Sequence, residues 1–152
     1  MAKTLSELRE QLSAIEPDES TYEGIGPAEV ELLQSLLDDE QDWLAARAVH
    51  ALSRIDAENA RRAVVSAAES PKMEVRVAAA ASADLLPAAL SDDVLFRLLD
   101  DSEAAVRKFA IKAMSNRNSE AVRRRLAEIA DSDADARLRR VAQQQASTVA
   151  EP

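Results

Sequence analysis

The sequence predicts an all-α chain, folded as a right-handed α-solenoid of four helical hairpins behind an N-terminal capping helix. Three observations carry that expectation. Alanine supplies 31 of the 152 residues, and with leucine, arginine and glutamate it dominates a composition that favours helix. Gly24 and Gly26 are the only glycines, and Phe, Trp and Tyr together supply four side chains, so the core must be thin and its backbones closely packed. Above all, the chain repeats with a period of 31 residues.

The repeat is legible in two registers. LAARAVHAL from Leu44, VRVAAAASA from Val75, VRKFAIKAM from Val106 and LRRVAQQQA from Leu138 start at steps of 31, 31 and 32 residues. Upstream of each, an acidic residue follows an apolar one at Asp38, Glu69, Asp100 and Asp131, again 31 apart. A period held over four copies marks stacked supersecondary units.

Taken in order, the elements begin with a helix bearing Leu5, Leu8, Leu12 and Ile15, opened by capping-box spacing between Thr4 and Glu7. Residues 1–26 form this N-terminal capping helix and an acidic linker. The repeats then occupy 27–56, 57–87, 88–118 and 119–148, and 149–152 is a tail. The first helix of each hairpin is expected over 27–38, 57–69, 91–100 and 119–131, with apolar residues at helical spacing such as Val94, Leu95, Leu98 and Leu99. The second is expected over 42–55, 71–85, 103–115 and 134–148, with an apolar stripe at the anchor residue and 4, 7 and 8 beyond it. Pro27 and Pro71 suit first-turn positions, Ser91, Ser102 and Ser119 suit N-caps, and Pro87 closes the second hairpin. The last stripe degrades into Gln143, Gln144 and Gln145, as a polar terminal repeat should.

Charge is unevenly spread. Residues 1–60 hold 4 basic and 14 acidic side chains, a net of −10, and residues 61–152 hold 15 basic and 14 acidic, a net of +1. So acidic a chain argues against nucleic acid and anionic membranes as partners. Without cysteine there is no disulfide, thiolate metal site or cysteine nucleophile. No apolar run approaches a membrane span and the start lacks an apolar leader, so a cytoplasmic protein is expected.

The recurring acidic residue, the Val-Arg pair and the alanine-rich stripe resemble the HEAT-like repeat family, specifically the short repeats named after phycobilisome lyases. Over 27–148, repeats two and three match best, through Glu69 with Val75-Arg76 and Asp100-Asp101-Ser102 with Val106-Arg107. Repeat four has one extra residue before Leu138-Arg139, and repeat one has Ala45 where the arginine would stand. The resemblance implies a ladder in which Arg76, Arg107 and Arg139 bond the acidic residues Glu69, Asp100 and Asp131 across repeat junctions.

Candidate sites for chemistry are few. Asp131, Asp133 and Asp135 have the alternation of a calcium loop, but Ala136 stands where its glycine and Ala142 where its bidentate glutamate are needed. His50 is the sole histidine, which excludes a two-histidine metal site. Trp43 reads as hairpin packing, and Arg123, Arg124 and Arg125 as a solvated face that could also meet an acidic partner. No metal, cofactor or catalytic residue is therefore expected.

The favoured function is a non-catalytic interaction module or scaffold that binds another protein on its concave face. If the stripe faces the core, offsets 2, 5, 6 and 9 face away. Those rows place Val49, His50, Val77, Ala80, Ala81 and Ile111 beside Lys108, Lys112, Arg140 and Gln144. An apolar strip flanked by cations would take an acidic or amphipathic segment. Two enzymatic readings remain open, a phycobilin-lyase-like subunit and a relative of HEAT-like DNA glycosylases, and a monomer is the simpler expectation for a state the sequence leaves undetermined.

Overall fold

The computed structural model describes residues 2–150 apart from 115, 116 and 118, with only the backbone course of 148–150. The end of the third inner helix expected at Ser115, and the last two residues of the tail, fall outside the described residues. Among those residues there are nine α-helices and no strand: α1 (Leu5–Leu12), α2 (Val30–Leu36), α3 (Asp42–Ser53), α4 (Glu58–Ala67), α5 (Met73–Ser82), α6 (Ala88–Leu98), α7 (Ala104–Ala113), α8 (Glu120–Ser132) and α9 (Ala136–Ala150). Consecutive helices from α2 onward pair as hairpins, and the second members stack along the chain, α3 on α5, α5 on α7 and α7 on α9. This is an α-solenoid.

Alanine makes that stacking possible. Ala45, Ala48, Ala79, Ala80, Ala110 and Ala142 are fully buried along the inner helices, where a single methyl lets neighbouring backbones approach closely. Larger residues fill the gap between inner and outer helices: Leu33, Leu44, Leu52, Leu95, Leu98, Met114 and Leu126 are all below 2 % exposed. The outer helix α8 is clearly amphipathic, with Val122, Leu126 and Ile129 inward and Arg123 and Arg124 outward.

Helix boundaries follow local capping chemistry, with departures from expectation. Thr4 and Glu7 close a full capping box on α1, and Ser119 Oγ accepts from the Val122 amide at 3.2 Å. Ser91 is not a cap. α6 starts three residues earlier behind Pro87, so Ser91 lies inside it, fully buried, where its hydroxyl meets the Arg117 guanidinium. Ser102 lies one residue ahead of the Glu103 cap, and Pro71 precedes the Lys72 cap instead of entering the helix.

α1 stops at Leu12, so Ile15 is 95 % exposed and not part of its stripe. Leu8 and Leu12 are fully buried, and α1 packs on α3 as another inner helix would. The linker behind it is ordered by its own polar groups: Gln11 Nε2 donates to the Thr21 and Glu23 carbonyls at 2.9 and 2.8 Å, and Asp18 caps a short 3-10 turn over Glu19–Tyr22. Gly24 takes φ +72°, the left-handed conformation that lets the chain reverse toward α2.

Leu8→Ala leaves a cavity at the end of the stack and should cost about 2–5 kcal/mol in urea unfolding, whereas Ile15→Ala should stay within about 0.5 kcal/mol of the parent. Equal effects would mean that α1 does not seal the first repeat.

Candidate functional site

Each inner helix of the later repeats opens with an arginine one residue past its anchor, and that arginine turns toward the next repeat. Arg76 Nε and Nη2 donate to Asp101 Oδ2 and Oδ1 at 2.8 and 3.3 Å, while Nη1 donates to the Ser70 carbonyl at 2.8 Å. Arg107 repeats the arrangement on Asp133, at 2.9 and 3.0 Å, with Nη1 on the Asp101 carbonyl at 2.9 Å. Arg139, in the last repeat, keeps only the carbonyl bond, to Asp133 at 2.6 Å. Hydrogen bonding to Asp133 raises the Arg107 pKa against burial. Burial would raise the Asp133 carboxyl, yet the bonds from Arg107 and the Asp135 amide hold it below its usual value.

The acidic half of the ladder is therefore not Glu69, Asp100 or Asp131. Those three lie exposed at the ends of the outer helices: Glu69 meets Arg97 at 2.8 Å, Asp100 meets Arg125, and Asp131 stays at the surface of α8. The rung needs a carboxylate in the turn between the helices of a hairpin, whose oxygens can accept both guanidinium bonds side by side. Asp101 sits one residue beyond the predicted position. Asp133 sits two beyond, because repeat four has its extra residue there. Asp39 holds the same turn position in repeat one and takes Arg9 of α1, so Leu8-Arg9 is a further copy of the apolar-arginine pair. Between repeats one and two the rung is missing on both sides, with Ala45 and Ser70 at its two positions. Lys72 spans that junction, on the Asp39 carbonyl and on Asp42 Oδ1 at 3.1 Å.

The predicted apolar strip does not form as drawn. Val49, Ala80 and Ile111 are fully buried members of the core. An inner helix is covered by its outer helix and also by the inner helix of the next repeat, so offset 5, at 140° from the anchor, turns inward. The open arc lies instead at offsets −1, 2, 3 and 6. It holds Val77 and His50, both half-buried, and Ala81, Lys108, Lys112, Arg140 and Gln144, all exposed.

On this arc lies a groove of about 720 Å³, walled on one side by linker residues 17–22 and on the other by α3, α5 and α7. Three of the chain's four aromatic residues line it: Tyr22, Trp43 and Phe109, with Trp43 and Phe109 exposed to 45 and 37 %. Ala46, Met73, Val77 and Ala105 supply the aliphatic surface. The predicted residues Val77 and His50 belong to it, whereas Ala81, Lys108, Lys112, Arg140 and Gln144 lie outside its lining.

The groove's polar groups hold its shape. Arg54 Nη2 and Nε donate to Glu19 at 2.7 and 3.3 Å, Nη1 donates to the His50 carbonyl at 2.9 Å, and the guanidinium lies 4.2 Å from the centre of the Tyr22 ring. One side chain thus straps the linker onto α3. Arg47 lies 5.3 Å from the centre of the Trp43 ring and donates to the carbonyls of Ala14 and, at 2.6 Å, Leu12, where a cation suits the negative end of α1. His50 Nδ1 is 2.6 Å from Ser82 Oγ, a bond between repeats one and two. Burial, then the charges of Arg54 and Arg47, push the His50 pKa from 6.5 down to about 4.

Asp133 and Asp135, two of the three residues with calcium-loop alternation, are engaged otherwise. Asp133 holds Arg107 and accepts from the Asp135 amide, and Asp135 accepts from the Arg137 amide at 2.8 Å. Sequence reasoning missed Tyr22, Arg47, Arg54 and Phe109. The signal available was that Arg47 and Phe109 share offset 3, which the open arc includes.

A family model described as HEAT repeats matches residues 91–147. The match identifies HEAT repeats over those residues, and helical hairpins of the same kind recur upstream of it. No curated protein matches the chain. Among the described residues no helix is long and apolar enough to cross a membrane.

Two predictions follow from this geometry. Arg107→Ala strips a 6 % exposed carboxylate of its partner and should cost about 3 kcal/mol, while Arg97→Ala, whose pair with Glu69 is more than half exposed, should cost less than about 1 kcal/mol. Chemical unfolding distinguishes them, and equal losses would remove the ladder. For His50, the depressed pKa favours the neutral ring in the folded state, so its contribution is complete above pH 6.5 and is lost as pH falls toward about 4. Between neutral pH and about pH 4 the parent should lose roughly 2–3 kcal/mol more than His50→Gln. Parallel pH profiles would mean that the imidazole is not held neutral.

Proposed function

We propose that this protein is a non-catalytic interaction module that receives a segment of a protein partner in the groove between linker residues 17–22 and the inner helices α3, α5 and α7. HEAT repeats generally serve protein interaction, and one observation supports this location: three of four aromatic side chains converge on a single groove. Exposed rings rarely cluster without a surface to cover them, and Trp and Tyr supply much of the energy at interface centres. The groove's polar side chains reinforce its walls, with Arg54 and Arg47 fixing the linker and α1 and His50 tying α3 to α5. This arrangement suits a preformed receptacle whose partner pays little for ordering the site. Its lining carries three carboxylates, on Asp18, Glu19 and Glu74, against the guanidiniums of Arg47 and Arg54, which disfavours a phosphate backbone as occupant.

Phe109→Glu places a charge at the groove surface without touching the ladder. It should weaken capture of the native partner at least about 30-fold, as loss of an interface anchor does, with the helical circular dichroism unchanged. Lys108→Glu, on the same helix but outside the lining, serves as the control. Undiminished capture by Phe109→Glu would move the interface away from the groove.

A further inference from the structure

We infer that the segment this groove receives is basic and amphipathic, setting an apolar or aromatic side chain among Trp43, Val77 and Phe109 and a lysine or arginine against Glu74. The inference rests on the reading of the groove as a protein-binding site and goes on to name the chemistry of the occupant.

Charge complementarity carries it. The groove's own cations are engaged. Arg54 is held by Glu19, the His50 carbonyl and the Tyr22 ring, and Arg47 lies over Trp43 and bonds the last carbonyls of α1. The imidazole of His50, hydrogen-bonded to Ser82, adds no charge at neutral pH. Glu74 differs from all of these. It lines the groove from the first turn of α5, half-buried, and makes no ion pair or side-chain hydrogen bond among the described residues. An apolar occupant that covered it would strip water from an unpaired carboxylate, which is costly unless the occupant brings a donor, and a cationic donor forms the stronger bond. Asp18, on the linker wall, adds a second carboxylate whose partners are the Ser20 amide and hydroxyl and not a cation.

An acidic segment is disfavoured for the same reasons. It would bring like charge to Glu74 and to Asp18, the latter within residues 1–60, whose 4 basic and 14 acidic side chains give a net charge of −10. The cations that suggested an acidic partner, Lys108, Lys112 and Arg140, stand outside the lining. They extend the open arc toward the C-terminal end, so a basic segment that continued past Phe109 would have to turn away or become acidic there.

The test is selection of a random peptide library on the immobilised full-length protein, followed by titration of the selected peptides against the fluorescence of Trp43, the only tryptophan. The expected result is enrichment of sequences that pair lysine or arginine with leucine or an aromatic residue. Their affinity should fall about tenfold or more on Glu74→Gln, be lost on Phe109→Glu, and be unchanged on Arg140→Gln, which lies outside the lining. Enrichment of acidic or uncharged sequences that still need Phe109 would overturn the inference and leave the groove as the binding site. Peptides that bind Phe109→Glu as well as the parent, or no enrichment at all, would overturn both. Concentration-dependent self-association that Phe109→Glu abolishes would assign the groove to a second copy of the chain and overturn the inference.

Discussion

The stack depends on one interaction, the arginine that α1, α5 and α7 each lend to the turn of the following repeat. Hydrophobic contact between alanine faces is nearly featureless and would tolerate sliding, because methyl groups offer little to interlock. A guanidinium that bonds the carboxylate of one turn and the carbonyl of another fixes both spacing and rotation of neighbouring hairpins. Arg76 with Asp101 and Arg107 with Asp133 do this in the C-terminal half, and Arg9 with Asp39 does it at the start. These pairs are 15 % exposed or less in repeats two to four, where desolvation makes orientation matter more than attraction.

How far the sequence showed this varies by level. Repeat length, hairpin count and the arginine side of the ladder were legible, because helical period and a fixed 31-residue spacing are local properties of the chain. The carboxylate side was displaced by one or two residues. The sequence offered two adjacent acids at Asp100-Asp101, and only the path of the turn decides which carboxylate faces the arginine. Arg9 was hidden for a different reason: Leu8-Arg9 stands 36 residues before Leu44, outside the 31-residue period.

The error in the surface rows has a similar origin. A single amphipathic helix has one buried face, and offsets 0, 4, 7 and 8 describe it. An inner helix of a solenoid has a second buried face against the next repeat, and Val49, Ala80 and Ile111 belong to that one. Alanine-rich and β-branched residues serve a helix junction as readily as a surface strip, so residue type could not separate the two. Shifting the open arc toward offsets −1 and 3 exchanges those three buried residues for Trp43, Arg47 and Phe109.

The groove occupies the place where the ladder fails. Repeat one has Ala45 where an arginine belongs and repeat two has Ser70 where its carboxylate belongs, and a repeat without its rung needs other ties to its neighbour. Lys72 on Asp42 and His50 on Ser82 provide them from either side of the junction. His50 also lines the groove, and Arg54 straps the linker across its mouth. Residues freed from the repeating pattern are the ones that build the site: Trp43, Arg47, His50 and Arg54 all belong to repeat one, and none has a counterpart of its type at the same offset in repeats two and three. A repeat fold specifies its architecture through what recurs, and what distinguishes one such protein from another must lie in what does not recur. Here the departures are concentrated at one junction, and the chain's aromatic surface is concentrated with them.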